Sequence, residues 1–148
     1  MKLAKIKGFC AYLMVVFCNG FVDLGHKILI QDTLYKTMEG NKLVILTAVI
    51  NSFILLPYIL LFTPSGFLSD KFTKAKMLRL TAAAVVPLTL MITFCYYQGY
   101  FWAAFMMTLL LGTQSALNSP AKYGYIKELC GKGTLASANA LVQTTAVI

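Results

Sequence analysis

The sequence predicts an all-α integral membrane protein, and three observations carry that expectation. Of its 148 residues 59% are hydrophobic and only 12% charged, against about a quarter charged in soluble domains. No Asp, Glu, Lys or Arg occurs from Leu43 to Ser69 or from Leu80 to Ala121. A membrane-crossing helix needs roughly 20 mainly apolar residues, so the first stretch holds one crossing. The second is too long for one and suits two, with Tyr97-Gln98-Gly99 as the turn. The third observation is that basic residues collect at every second connection. Lys2, Lys5 and Lys7 precede the first span; Lys71, Lys74, Lys76 and Arg79 follow the second; Lys122, Lys127 and Lys132 follow the fourth. Short basic loops stay cytoplasmic, which puts the N-terminus on the cytoplasmic side of a multi-pass protein.

Helices are expected over 8–35, 43–66, 77–97 and 100–119, with a fifth opening near Thr134 after the Gly131-Lys132-Gly133 break. The fifth is still apolar at Ile148 and too short to cross, so the chain reads as the front part of a larger protein. Pro57 and Pro87 fall inside the second and third helices, where a bundle in lipid tolerates them because neighbours re-satisfy the freed carbonyls. Pro120 is expected to end the fourth.

The net charge of +8 does not point to nucleic acid, because the lysines lie between apolar spans and not along one polar face. Cys10, Cys18, Cys95 and Cys130 have no CxxC spacing and no histidine close by in the sequence, so neither a metal site nor a disulfide is expected. The basic start followed by an apolar run is like a signal peptide but has no small-x-small cleavage site before Asp23. There is no nucleotide-binding loop, no His-x4-Asp motif and no other catalytic constellation. No cofactor is expected.

Three segments carry chemistry. In the first helix Asn19, Asp23, His26 and Lys27 recur at spacings of three and four, which places them on one face. Polar and charged groups inside a span face the bundle or a water-filled cavity, so these four are the candidate substrate or coupling residues. Asp23 and Lys27 at i, i+4 could neutralise one another, and His26 could exchange a proton near neutral pH. The second segment, 66–78, reads as a loop between helices 2 and 3. In it Gly66 allows a close helix approach, Asp70 can pair with a base or a helix N-terminus, and Lys71, Lys74 and Lys76 hold it at an anionic leaflet. In the third, Gly112, Ser115, Ala116 and Ser119 make a small-residue stripe, and Gln114 and Asn118 a polar face.

The loop resembles the signature loop of the major facilitator superfamily at Gly66, Leu68, Asp70, Lys71, Lys74 and Leu78, departing from it at Thr73 and Ala75. That resemblance implies the first four to five helices of an N-terminal six-helix half, whose C-terminal half is the missing partner. It also implies a gating role for Gly66, Asp70, Lys71 and Lys74. The run Ser119-Pro120-Ala121-Lys122-Tyr123-Gly124, with Glu128-Leu129 and Ala138-Asn139, is similar to the lysophospholipid transporter branch. The branch implies a protein of the bacterial cytoplasmic (inner) membrane that flips lysophospholipids, with membrane lipids and an amphipathic substrate as partners. It also occurs as the membrane domain of a bifunctional acyl-carrier-protein synthetase and phospholipid acyltransferase, which is one alternative. A facilitator for a small drug or metabolite is the other.

Overall fold

The structure, a computed structural model, describes residues 6–147. Five helices follow one another in the order α1 (Phe9–Thr37), α2 (Gly40–Leu60), α3 (Phe62–Lys71), α4 (Lys74–Tyr97) and α5 (Phe101–Val147), with no strand among the described residues. α1, α2 and α4 are each long and apolar enough to cross a membrane. The protein is an all-α, multi-pass membrane protein. α5 is long enough, with about 45 Å of helix before Gly131, but it is not among the three most apolar. Its composition has a structural reason. α5 packs on all four other helices, and its buried Thr108, Gln114, Ser115 and Asn118 face protein where the other spans face lipid.

The buried residues form three layers along the helix axes. At one end Phe9, Tyr12 and Val16 of α1 pack with Met77 and Leu78 of α4 and Ala121 and Ile126 of α5. Ala138 and Val142 join this cluster because Gly131, at φ 66° and ψ −178°, breaks α5 and lets its second limb fold back. A φ in that region favours glycine. At the opposite end Ile30, Leu34, Ile50, Cys95, Ala104 and Phe105 form a second apolar cluster. Between them lies a polar layer containing Asn19, His26, Thr81, Thr108, Gln114, Ser115 and Asn118, all buried. Lys2 and Lys5 of the N-terminal basic group lie outside the described residues.

Several helix bounds differ from those expected. The helix expected over 43–66 is two: α2 begins at Gly40, and Leu61, at φ −96° and ψ 5°, separates it from α3. Pro64 explains the break, since it fits the first turn of a new helix but not the interior of a continuing one. The segment 66–78 is mostly not a loop. Gly66, Asp70 and Lys71 lie in α3, Lys74 opens α4, and only Phe72 and Thr73 are non-helical. Pro120 does not end its helix, which runs on to the Gly131 break. The backbone beyond it is held from outside: the Tyr12 hydroxyl donates to the Lys122 carbonyl at 2.9 Å, and Ala121 is fully buried.

Gly66 makes no close approach, since a Cβ there would meet nothing within 4 Å. The close approach is at Gly112, where a Cβ would lie 3.1 Å from the Phe53 carbonyl oxygen. That carbonyl is the one Pro57 leaves without a helical N–H, four residues on. With no Cβ at Gly112, the α2 and α5 backbones come together there.

Candidate substrate and coupling site

The site is built by α1 and α5, with α4 and α2 closing it. Asn19 donates from Nδ2 to the Val15 carbonyl at 3.0 Å and accepts at Oδ1 from Gln114 Nε2 at 3.2 Å. The same Gln114 amide donates to the Thr81 carbonyl at 3.0 Å, tying α1, α4 and α5 at one point. The Ser115 hydroxyl donates to Asp23 Oδ2 at 2.6 Å, a short charge-assisted bond. Its alternative acceptor, Gln114 Oε1 at 3.2 Å, is more distant. One hydroxyl proton serves one of them at a time, and the carboxylate has the better geometry. Thr81 and Asn118 meet at 2.8 Å, and His26 Nε2 meets the Thr108 hydroxyl at 2.9 Å.

Two cavities open on this layer. One, of about 220 Å³, is lined by Asp23, His26, Lys27, Tyr58, Thr108 and Ser115 among others. Its neighbour, of about 230 Å³, has Asn19, Asp23, Tyr58, Ser115, Asn118 and Lys122 in its wall. Asp23, Tyr58 and Ser115 belong to both. The pair forms a polar seam with one carboxylate between two lysines. A third cavity, of about 370 Å³ between α1 and α4, is almost wholly apolar, with Met14, Val15, Val22, Val85 and Leu90 around it; Asn19 is in its wall too.

Asn19, Asp23, Gln114 and Asn118 thus come together, and His26 joins them through the first cavity. Lys27 does not neutralise Asp23. Among the described residues the ion pairs are Lys36–Asp32 at 2.7 Å and Lys74–Glu128 at 2.8 Å. Asp23 turns instead into the bundle, towards a donor on another helix, and Lys27 stays half-buried at the cavity edge. Asp70 is exposed and makes no ion pair among the described residues, nor does it cap α4. The partner in this segment is Lys74, which reaches Glu128 on α5 while its stem lies where a Gly124 Cβ would be, 2.6 Å from Cε. A lysine at a helix N-terminus is unfavourably placed for the dipole, and Glu128 offsets that charge. Lys71 is exposed.

Ser115, Thr81, Thr108, Tyr58 and Lys122 line or brace the site and were not expected to. For three of them the signal was present: Thr108, Ser115 and Lys122 follow one another at seven-residue intervals, on one face of α5 with Gly112. Thr81 has no such mark.

A buried polar layer lined by two cavities, inside a bundle of apolar helices, is the architecture of a membrane transporter's substrate path. Comparison with protein families matches residues 36–147 to the MFS_3 family, described as transmembrane secretion effector. The chain belongs to this family. It is therefore a membrane transporter of the major facilitator type. Comparison with curated proteins and with solved structures gave no match. No group of three or more His, Cys, Asp or Glu among the described residues could hold a metal ion. No cysteine joins the polar layer: Cys10 and Cys18 are exposed on α1, Cys18 in the wall of the apolar cavity, Cys95 is buried in the apolar cluster with Ile30 and Leu34, and Cys130 packs at the other end.

Proposed function

We propose that this major facilitator protein flips lysophospholipids, mainly lysophosphatidylethanolamine, from the outer to the inner leaflet of a bacterial cytoplasmic membrane. The N-terminus is on the cytoplasmic side. The observation that supports this reading best is the position of Asn19, in the wall of both the apolar groove and the polar seam. A single-chain lipid spanning that wall would lay its acyl chain along Val22, Val85 and Leu90 and its head group in the seam. There Lys27 and Lys122 suit a phosphate and Asp23 suits an ammonium, so the charges of a zwitterionic head group have counterparts. The residues from Ser119 to Gly124 that resemble the lysophospholipid branch include Lys122 itself.

Alternating access in such proteins rocks one repeat against another around a midplane site. In this reading the Lys74–Glu128 pair ties α4 to α5 at one face of the bundle, and Gly66, Asp70 and Lys71 on α3 lie beside it as a gate. A facilitator that exports a small metabolite is the second reading, favoured by the family's description as a secretion effector.

The test is translocation of fluorescent lysophosphatidylethanolamine in vesicles holding the protein, with a soluble cationic dye measured in parallel. Asp23→Ala and Asn19→Ala are expected to slow the flip at least tenfold, while Lys36→Ala leaves it unchanged. Flip that persists in both site variants would count against the assignments. Dye export without lipid flip would select the second reading.

A further inference from the structure

Two buried polar atoms beside the polar layer have no hydrogen-bonding partner among the described residues: Nδ1 of His26 and the hydroxyl of Tyr96. They belong to neighbouring rings, whose centroids are 6.3 Å apart at an interplanar angle of 59°. His26 is only 6% exposed, and its other nitrogen is already engaged with Thr108. Unpaired buried polar atoms are rare in folded proteins, and two on adjacent rings call for one explanation. A single water supplies both a donor and an acceptor, and internal waters commonly bridge such groups.

We propose that His26 Nδ1 and the Tyr96 hydroxyl share one internal water, so that Tyr96, the water, His26 and Thr108 form a continuous hydrogen-bonded chain. Tyr96 stands at the C-terminal end of α4, and Thr108 stands in the wall of the cavity that holds Asp23. The chain joins the end of the bundle near the α4–α5 turn to the polar seam. A histidine can take a proton on one ring nitrogen and release one from the other. Here the water gives a proton to Nδ1 as it takes the Tyr96 hydroxyl proton, so the relay carries one proton from Tyr96 towards Asp23 and is reset when that proton returns. Nε2 passes its own proton to the Thr108 oxygen, whose hydroxyl proton moves into the cavity towards the Asp23 carboxylate. The imidazole ends neutral in its other tautomer, and one proton has moved.

The groups around His26 leave the route uncrowded. From α1 come Asp23 and Lys27, from α2 Tyr58, and from α5 only the uncharged Thr108 and Ser115, all in the same cavity wall. From α4 come Cys95, in the apolar cluster, and Tyr96, packed against that cluster. The inference does not depend on which substrate the protein carries.

His26 is the chain's one histidine, so ¹⁵N-histidine labelling reports on it alone. Solid-state NMR of the protein in lipid bilayers, with magnetisation transferred from water, reads the two ring nitrogens separately. In the unaltered protein Nδ1 is expected to receive magnetisation from an ordered water. In Tyr96→Phe that transfer should fall at least fivefold, with the Nε2 resonance unmoved. Thr108→Val should do the reverse, moving Nε2 and sparing the transfer to Nδ1. Absence of transfer to Nδ1 in the unaltered protein overturns the proposal whether or not the variants fold. So does transfer that survives Tyr96→Phe, or an Nδ1 resonance that responds to Tyr96→Phe without water transfer, the mark of a direct bond between the rings.

Discussion

The polar layer and the Lys74–Glu128 pair both fasten α5 to the rest of the bundle, in opposite surroundings. In the layer, neutral amides and hydroxyls are buried between four helices and one part-buried carboxylate is bonded from a neighbouring helix, so water competes little with most of these contacts. At the other site two full charges meet at 2.8 Å with the Glu128 side chain half-exposed, where solvent and salt compete with the contact. The formally stronger interaction is therefore the weaker constraint. Burial, more than charge, decides which polar contacts hold the helices and which are free to break during a transport cycle.

Substitutions can break this comparison at several points. The largest effect is expected at Gly112, the contact that sets the depth of the layer by letting α5 approach the Phe53 carbonyl. Gly112→Leu should cost about 3 kcal/mol, at the upper end for overpacking, and appear as a much lower melting temperature in a thiol-dye unfolding assay in detergent. Gly66→Leu, with open space around it, should melt like the unaltered protein. Next comes Ser115→Ala, which strands the Asp23 carboxylate. A loss of about 2 kcal/mol is expected, and Asp23→Asn in the same chain should recover part of it, because a neutral amide tolerates the loss better. Thr81→Val removes one neutral interhelical bond and should cost about 0.6 kcal/mol, the average for such bonds in a membrane bundle.

The smallest effect on stability is expected at Glu128→Gln. Its melting temperature should equal that of the unaltered protein at 1 M salt, where the Debye length is about 3 Å. A clear destabilisation there, larger than that of Thr81→Val, would reverse the ranking of the two regions.

The same contrast explains what could be read in the sequence. Long uncharged stretches gave away the membrane, and a carboxylate and a histidine inside an apolar helix gave away the α1 face, because charge in lipid has few explanations. Gln114 and Asn118 were legible for the same reason. The hydroxyls were not. Thr33, Thr89, Thr93 and Thr113 each donate to the carbonyl four residues back, which satisfies a threonine within its own helix and needs no partner. Thr81 lies within reach of that carbonyl too, yet it alone of the threonines on α4 has a buried amide oxygen as a rival, slightly nearer acceptor, and only the packing of α4 on α5 distinguishes it. The Asp23–Lys27 pairing failed for a related reason. Spacing shows which side chains can meet on one helix, not whether a better donor such as Ser115 waits on another. Prolines act in both directions: Pro120 is carried through by contacts from α1, while Pro64 divides the second expected helix.

The most direct test of the polar seam as the substrate path is protection of a thiol at Tyr58, the α2 residue common to both cavities. Cys10, Cys18, Cys95 and Cys130 are first replaced, and Tyr58→Cys is compared with Met91→Cys on the exposed face of α4. Both are labelled with a small maleimide, with and without lysophosphatidylethanolamine. Slower labelling at position 58 alone, by fivefold or more and lost again in Asp23→Ala, is the result expected. Equal labelling with and without the lipid at position 58, in a protein that still moves that lipid, would contradict the assignment of the seam.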